Sequence, residues 1–180
     1  MKLEFERLIK EHGIKTIIET GTYKGDTTLV LADMVENVIT VELSDTYFNE
    51  NKEMFSGIKN IHAVEGNSVD LLKSINPTNA LVFLDAHWND YCPLLDELKA
   101  ISNWTEKPII VIHDFKVPDH PELGFDSYNG YDYDFKFIEN DLFAIYSKDV
   151  SLVSFSYCYN KEASGSKRGA IYIQPAPVRY

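Results

Sequence analysis

Residues 15–26 read KTIIETGTYKGD, a β-branched run followed by a turn that contains Gly21 and Gly25. Thr and Ile side chains favour a strand, and the residues after Gly25 have the apolar spacing of a helix. A glycine-containing turn between a strand and a helix lets the backbone approach a ligand closely. The segment therefore predicts the first strand, the ligand-binding turn and the following helix of an α/β fold.

The same alternation of strand and helix continues along the chain. Short apolar runs predict strands at 15–19, 38–42, 60–64, 80–85, 108–112, 151–159 and 169–173. Apolar residues at helical spacing predict helices at 3–12, 26–35, 45–56, 68–75, 94–102 and 135–146. We predict a single domain over residues 1–180 with a seven-stranded α/β sheet. The sheet should be mostly parallel with an antiparallel last strand, because the final connection holds no helix.

Residues 116–134 follow the fifth predicted strand and are rich in acids and tyrosines. The carboxyl ends of parallel strands border the ligand crevice, so we expect this segment to form an active-site lid or loop. Aromatic rings with interleaved acids suit sugar faces and hydroxyls, or a cationic acceptor.

Composition excludes several classes of protein. The 180 residues carry 17 Lys and Arg against 28 Asp and Glu, a net charge of −11 that opposes nucleic acid and anionic membrane partners. Two cysteines, Cys92 and Cys158, cannot form a disulfide framework. The first residues lack the apolar core of a signal peptide, and no apolar run approaches the ~18 residues of a membrane span. We expect a cytoplasmic protein with no nucleic acid or membrane partner.

The turn and the next strand indicate the kind of ligand. Glu42 ends the second predicted strand, 17 residues after Gly25, where an acid can accept hydrogen bonds from both hydroxyls of a ribose. The turn lacks the Gly-x-Gly-x-x-Gly of dinucleotide sites and the Gly-Lys-Ser/Thr of a P-loop. Glu19 at its start would repel a pyrophosphate and attract an ammonium or sulfonium group. A nucleoside-containing cofactor is therefore predicted.

The pattern Glu19-x-Gly21-x-x-x-Gly25, with Glu42 at the end of the next strand, resembles the first two motifs of class I S-adenosylmethionine-dependent methyltransferases. The resemblance extends from about residue 14 to 173. It implies a Rossmann-like, doubly wound fold and S-adenosylmethionine as cofactor. It places Gly21 and Gly25, with Thr22 between them, at the methionine part, Glu19 near the amino end and Glu42 on the ribose.

The third motif of that family is a strand followed by Gly-Asp, whose acid contacts the adenine amine. Here the sequence reads VEGNS at residues 64–68. The resemblance therefore places Gly66, Asn67 and Ser68 at the adenine, with the side-chain oxygen of Asn67 accepting in place of the acid. Asp85 completes the predicted cofactor-binding set.

Acids and histidines follow the fourth and fifth predicted strands. Asp85 and His87 lie after the fourth strand, and His113 and Asp114 after the fifth. We expect them to converge beside the cofactor, as a catalytic acid–base group of Asp85, His113 and His87 or as a metal site.

These strand ends resemble the metal-binding strand ends of macrocin O-methyltransferase-like sugar methyltransferases, with a His in place of the first Asp of the Asp-Asp-Tyr-like motif. The resemblance implies a divalent metal on Asp85, Asp114 and His113. Mg²⁺ is favoured for an oxygen-rich site, whereas two imidazoles would favour Mn, Fe or Zn.

The sequence thus predicts an S-adenosylmethionine-dependent methyltransferase that methylates oxygen on a small molecule or sugar. The alternatives are a non-catalytic protein with a degenerate methyltransferase fold, and an NAD-binding oxidoreductase. A small-molecule or carbohydrate acceptor is the expected partner, and a homodimer is compatible with the sequence. Trp88, Tyr91 and Trp104 are interpreted as packing residues, and the basic residues 161, 167 and 168 as a solvated turn.

Overall fold

A computed structural model describes residues 2–88, 91–146, 153–159 and 167–175. Six helices are described: α1 (Lys2–His12), α2 (Asp26–Ala32), α3 (Asp45–Met54), α4 (Ser68–Ser74), α5 (Leu94–Ser102) and α6 (Phe135–Tyr146). The strands are β1 (Thr16–Thr20), β2 (Asn37–Glu42), β3 (Ile61–Glu65), β4 (Ala80–Leu84), β5 (Ile109–His113), β6 (Ser127–Tyr128), β7 (Tyr131–Asp132), β8 (Val153–Tyr159) and β9 (Gly169–Pro175).

Seven of these strands form one sheet in the order β3-β2-β1-β4-β5-β9-β8. The first five strands in this order are parallel to one another. β9 is antiparallel to both β5 and β8. The predicted α/β fold with its antiparallel last strand is confirmed. Because the strand order reverses between β1 and β4, the ligand crevice is expected outside the carboxyl ends of these strands.

Hydrophobic clusters cover both faces of the sheet. On one face Phe83 of β4 meets Phe5 of α1 edge to face, with ring centroids 5.6 Å apart. On the other face Val82 packs with Leu98 of α5 and Leu142 of α6. Alternate strand residues point to opposite faces, so the continuous apolar runs are explained by burial on both sides.

Three helices are shorter than their patterns predict. α2 ends at Ala32, α3 at Met54 and α4 at Ser74, whereas the patterns extend to residues 35, 56 and 75. After α2 the chain turns, and the Met34 N–H donates to the Leu31 carbonyl at 3.0 Å.

The segment 116–134 is an anchored loop that carries the β6–β7 hairpin. Val117, Leu123 and Tyr133 are buried in it. Backbone hydrogen bonds tie it to the sheet, including the one from the Asp126 N–H to the Asp114 carbonyl, 2.9 Å. Its role as a lid stays a prediction. Among the described residues, no helix has the length and apolarity that crossing a membrane would require.

Candidate active site

A cavity of about 460 Å³ opens at the carboxyl ends of β1 to β4, within the size range of small-molecule sites. We call it the cofactor cavity. Its lining consists of the turn after β1, the end of β2, the turn after β3 and the segment after β4, with these residues: Gly21, Tyr23, Val41, Glu42, Leu43, Tyr47, Gly66, Asn67, Ser68, Asp85, Ala86, His87, Trp88, Tyr91 and Pro93.

Glu42 is fixed in this cavity by the backbone. One carboxylate oxygen accepts the N–H of Tyr23 and the other accepts the N–H of Ser44, each at 2.8 Å. Only 7% of the residue is exposed. Each carboxylate oxygen has a further lone pair, so the side chain can still accept a hydrogen bond from a ligand hydroxyl.

A glycine is required at position 21 because the turn after β1 passes close to the segment after β4. Its φ is +82°, and a Cβ at this position would lie 2.9 Å from the Asp85 carbonyl oxygen and 3.0 Å from the Ala86 Cα. The turn after β1 is thereby held against the segment after β4, and both line the cavity.

Gly25 faces a different neighbour. A Cβ there would lie 2.7 Å from the Phe55 ring and 2.9 Å from the Asn51 side-chain oxygen. The glycine therefore lets the start of α2 pack against α3, and Gly25 is not among the lining residues of the cofactor cavity.

Glu19 and Thr22 lie beneath the turn. The Glu19 carboxylate is buried and accepts hydrogen bonds from the hydroxyls of Thr28 and Thr40, the latter at 2.8 Å. Burial raises the pKa of Glu19 to about 7, although these hydrogen bonds lower it in part. Thr22 meets the Thr40 hydroxyl at 2.6 Å. Neither residue lines the cavity, so both can act on a ligand only by supporting the turn.

The adenine motif lines the cavity, but the Asn67 oxygen is already engaged. Asn67 is the N-cap of α4, and its side-chain oxygen accepts the Val69 N–H at 2.8 Å. The Gly66 N–H donates to the Glu42 carbonyl at 2.9 Å. What remains for a ligand at Asn67 is the NH₂ group and a second lone pair.

A smaller cavity lies beside the first, at the ends of β4 and β5. Asp85, Ala86 and His87 line both cavities. We call the smaller one, with Asp85, His113, Asp114, Asp126 and Glu97 among its lining residues, the acidic recess. The segment after β4 therefore borders both the cofactor cavity and the acidic recess.

His113 is held by two carboxylates. Its Nδ1 lies 2.9 Å from Asp85 and 3.2 Å from Asp114, whereas the Nε2 of His87 lies 4.0 Å from Asp114. Burial lowers the pKa of His113, but the hydrogen bond that it donates to Asp85 and the charges of both acids raise the pKa by more, so the net pKa is raised. Because a carboxylate only accepts, Nδ1 carries the proton and Nε2 is left as the basic nitrogen.

Arg168, immediately before β9, pairs with two acids that line the recess. Its Nε donates to Asp114 at 2.5 Å and its Nη2 donates to Asp126. Its interpretation as part of a solvated turn is wrong, because side-chain ion pairs from two other segments hold the guanidinium. Residue 161 of that predicted turn lies outside the described residues.

The predicted metal site does not suit a divalent ion. Two groups have donor atoms within 4.8 Å of one another: Asp85 with His113 and Asp114, and His87 with Asp114 and Asp126. Both include Asp114, which already pairs with Arg168. A guanidinium on a shared ligand repels a second cation at short range.

Glu97 of α5 is a buried acid that the sequence reasoning missed. It is 1% exposed and lines the acidic recess. Burial raises the pKa of Glu97 to about 7, against hydrogen bonds from the hydroxyls of Ser68 and Thr20. One carboxylate oxygen has no hydrogen-bond partner among the described residues. The sequence signal that could have identified Glu97 is an acid inside the apolar helical pattern that includes Leu94 and Leu98.

Aromatic side chains surround the mouth of the cofactor cavity. Trp88 is 47% exposed and Tyr91 46% exposed, and both line the cavity, so their interpretation as packing residues is wrong. The rings of Tyr23 and Tyr47 meet edge to face, with centroids 4.7 Å apart. Trp104, by contrast, is a packing residue that is buried and donates to the Leu72 carbonyl at 2.9 Å.

Several solved structures have this fold. An O-methyltransferase from Bacillus cereus in complex with S-adenosylhomocysteine (SAH) has a TM-score of 0.68 at 18% identity, over 98% of this chain and 80% of that chain. The O-methyltransferase TomG from Streptomyces achromogenes, involved in tomaymycin synthesis and solved with SAM, has a TM-score of 0.66 at 15% identity, over 98% and 79%. An rRNA methylase from Streptococcus thermophilus has a TM-score of 0.59 at 10% identity, over 97% and 95%.

No protein-family model matches the sequence, and neither does any curated protein. At these identities the likeness shows the fold alone: the chain has the class I methyltransferase fold that the sequence predicts.

Proposed function

We propose that the chain is an S-adenosylmethionine-dependent methyltransferase that transfers the methyl group to a hydroxyl oxygen of a small-molecule or carbohydrate acceptor. The observation that carries this proposal is Glu42. Its carboxylate is held by two backbone N–H groups, at the carboxyl end of β2, inside a cavity of suitable size. An acid in this position binds the ribose hydroxyls of a nucleoside cofactor.

The charges of the cofactor cavity favour a sulfonium over a pyrophosphate. Glu42 and Asp85 are the acids that line it, and its described lining residues include no Lys or Arg. A pyrophosphate would therefore enter without a cationic partner, while a sulfonium meets carboxylates. In the proposed arrangement the adenine lies toward Asn67 and Ser68, and the methionine part toward Gly21.

His113 is the proposed general base. The cofactor, when bound, supplies an electrophilic methyl group on sulfur. Asp85 holds the Nδ1 proton of His113, which orients the ring and leaves Nε2 to take the proton of the acceptor hydroxyl as its oxygen attacks. Burial lowers the pKa of His113, but the hydrogen bond to Asp85 and the charges of Asp85 and Asp114 raise it above its ordinary value, which makes Nε2 a stronger base. The proposed mechanism needs no metal.

The chemical class of the acceptor is proposed from the charge of the protein. The fold occurs in both O-methyltransferases and rRNA methylases, so it does not select the acceptor. A net charge of −11 and an acidic recess next to the cofactor cavity oppose a phosphate backbone. Both suit a neutral polyol or a cationic small molecule.

The decisive experiment is calorimetric titration of the purified protein with SAH, with NAD as the comparison ligand. We expect SAH alone to bind, and Glu42→Ala to weaken it about 10- to 100-fold through the loss of charged hydrogen bonds. Glu65→Ala is the matched control, since Glu65 pairs with Glu42 in the sheet and is exposed at the end of β3. Binding of NAD alone would support an oxidoreductase, and binding of neither would support the non-catalytic alternative.

A further inference from the structure

We propose that Arg168 takes the place of a divalent cation in the acidic recess, so that its guanidinium is the fixed counter-charge of Asp114 and Asp126 and excludes a metal ion from them. The exclusion of metal does not depend on the proposed function. The catalytic consequence, methyl transfer without a metal, rests on it.

The position of Arg168 is set by the backbone on both sides. The Lys167 carbonyl accepts the Gly124 N–H at 2.7 Å, and the Gly169 N–H donates to the Gly124 carbonyl at 2.9 Å. The Gly169 carbonyl in turn accepts the Phe115 N–H at 3.0 Å. Arg168 is therefore tied by its immediate neighbours to the loop and to the end of β5, the two segments that carry its carboxylate partners.

The carboxylates are equally fixed. Asp114 is 7% exposed and adopts a φ of +55°, a conformation that Asp tolerates better than most residues. The Asp126 N–H donates to the Asp114 carbonyl, which holds the two acids on the same side of the recess. The planar guanidinium then donates through different nitrogens to the two acids, a geometry that Lys cannot reproduce.

A metal ion would have to compete with Arg168 for Asp114. Asp114 belongs to both groups of donors whose spacing could hold an ion. A divalent ion bound there would lie within a few ångströms of the guanidinium, where two cations repel strongly. The ion would have to bind the remaining lone pairs of Asp114 and Asp126 beside the guanidinium, or displace the guanidinium from both acids.

Arg168 also acts on the proposed base through Asp114. The Asp114 oxygen that accepts from Arg168 is the one 3.2 Å from the His113 Nδ1. Arg168 therefore fixes the carboxylate that contacts His113.

The test is titration of the unliganded protein with MnCl₂, followed by the electron paramagnetic resonance signal of free Mn²⁺. We expect no specific binding to the wild type. Arg168→Met, which keeps an apolar stem and removes the charge, should tighten Mn²⁺ binding on the order of 100-fold. Lys167→Met is the matched control: it changes the net charge equally at an exposed neighbour and should bind no better than wild type. Adding Asp114→Asn to Arg168→Met should abolish the gained site.

Specific, tight binding of Mn²⁺ to the wild type would overturn the proposal, as would a folded Arg168→Met variant that gains no affinity. Should Arg168→Met fail to fold, Arg168→Lys serves: it keeps a positive charge, and tight Mn²⁺ binding by it or by the wild type would contradict the exclusion. SAH titration of the same variants reports separately on the proposed function, because Arg168 does not line the cofactor cavity.

Discussion

The cofactor cavity and the acidic recess share the end of β4 but are built by different means. In the cofactor cavity, backbone N–H groups hold the one deeply buried carboxylate, Glu42, and a glycine allows two turns to touch. In the acidic recess, side chains far apart in sequence hold one another: His113 with Asp85, and Arg168 with Asp114 and Asp126. The first region depends on local chain geometry, and the second on charge balance. Changes in shape should therefore damage the cavity, and changes in charge should damage the recess.

The largest effect is expected from His113, the proposed general base in the acidic recess. His113→Ala should lower methyl transfer about 10²- to 10⁴-fold and leave SAH affinity unchanged, because His113 does not line the cofactor cavity. The measurement pairs steady-state turnover of an accepted substrate with calorimetry. His62→Ala, at an exposed position of β3, is the control.

In the wild type the neutral imidazole is active, so turnover should fall as the pH drops through the raised pKa of His113. Wild-type turnover by His113→Ala would remove it from the mechanism.

The next largest effect is expected from Glu97, the buried acid of the acidic recess. The pKa of Glu97 is raised from 4.5 to about 7 in the folded protein, so the folded state holds this proton more tightly than the unfolded chain. The stabilisation is complete below the unfolded pKa and is lost as the pH rises through about 7. The wild type should therefore lose about 3 kcal/mol of unfolding free energy between pH 4.5 and about 7, and Glu97→Gln should not show this loss.

Urea unfolding of the wild type and of Glu97→Gln, on both sides of neutrality, measures this difference. Glu19, whose pKa is raised in the same direction by burial, should contribute similarly, so the double variant Glu19→Gln/Glu97→Gln should be the least sensitive to pH. Exposed Glu50 of α3 provides the control Glu50→Gln. An identical pH dependence in Glu97→Gln and the wild type would show that this acid does not titrate near neutrality.

A smaller effect is expected from the shape of the cofactor cavity. Gly21→Ala places a Cβ against Asp85 and Ala86 at a left-handed φ, which should displace the cavity wall and weaken SAH binding on the order of tenfold. Gly130→Ala shares the φ, +81° against +82°, but its Cβ meets no atom within 4 Å. Calorimetry should therefore find reduced affinity only in Gly21→Ala. Equal affinity of the two variants would mean that the contact with β4 does not shape the cavity.

The smallest effect is expected from the exposed ion pair of the loop. Lys116 meets Asp132 at 2.6 Å, but 44% and 36% of the two side chains are exposed. Water screens such pairs, so Lys116→Met should leave the thermal unfolding midpoint unchanged while Arg168→Met lowers it. A comparable decrease in both variants would contradict the distinction between the partly buried ion pairs of Arg168 and the more exposed pair of Lys116.

The sequence predicted the residues that line the cofactor cavity better than those that line the acidic recess. Gly21, Glu42, Gly66 and Asn67 follow strands at fixed offsets, and the structure brings them together around one cavity. Glu19 and Gly25 belong to the same motif, but their side-chain positions face β2 and α3 instead. Spacing along the chain does not say which side of a turn faces the ligand, because that depends on how the neighbouring helix packs.

What the sequence by itself determined was the order of elements, the antiparallel last strand and the strand ends that border the ligand crevice. These follow from local periodicity and from the absence of a helix in the last connection. Only the tertiary structure decided that Arg168 meets Asp114 and Asp126, that Glu97 is buried next to them, and that Trp88 and Tyr91 line a cavity instead of the core. The physical reason is that ion pairing and burial depend on distances between segments far apart in the chain. Strands and turns, by contrast, are specified within a few residues.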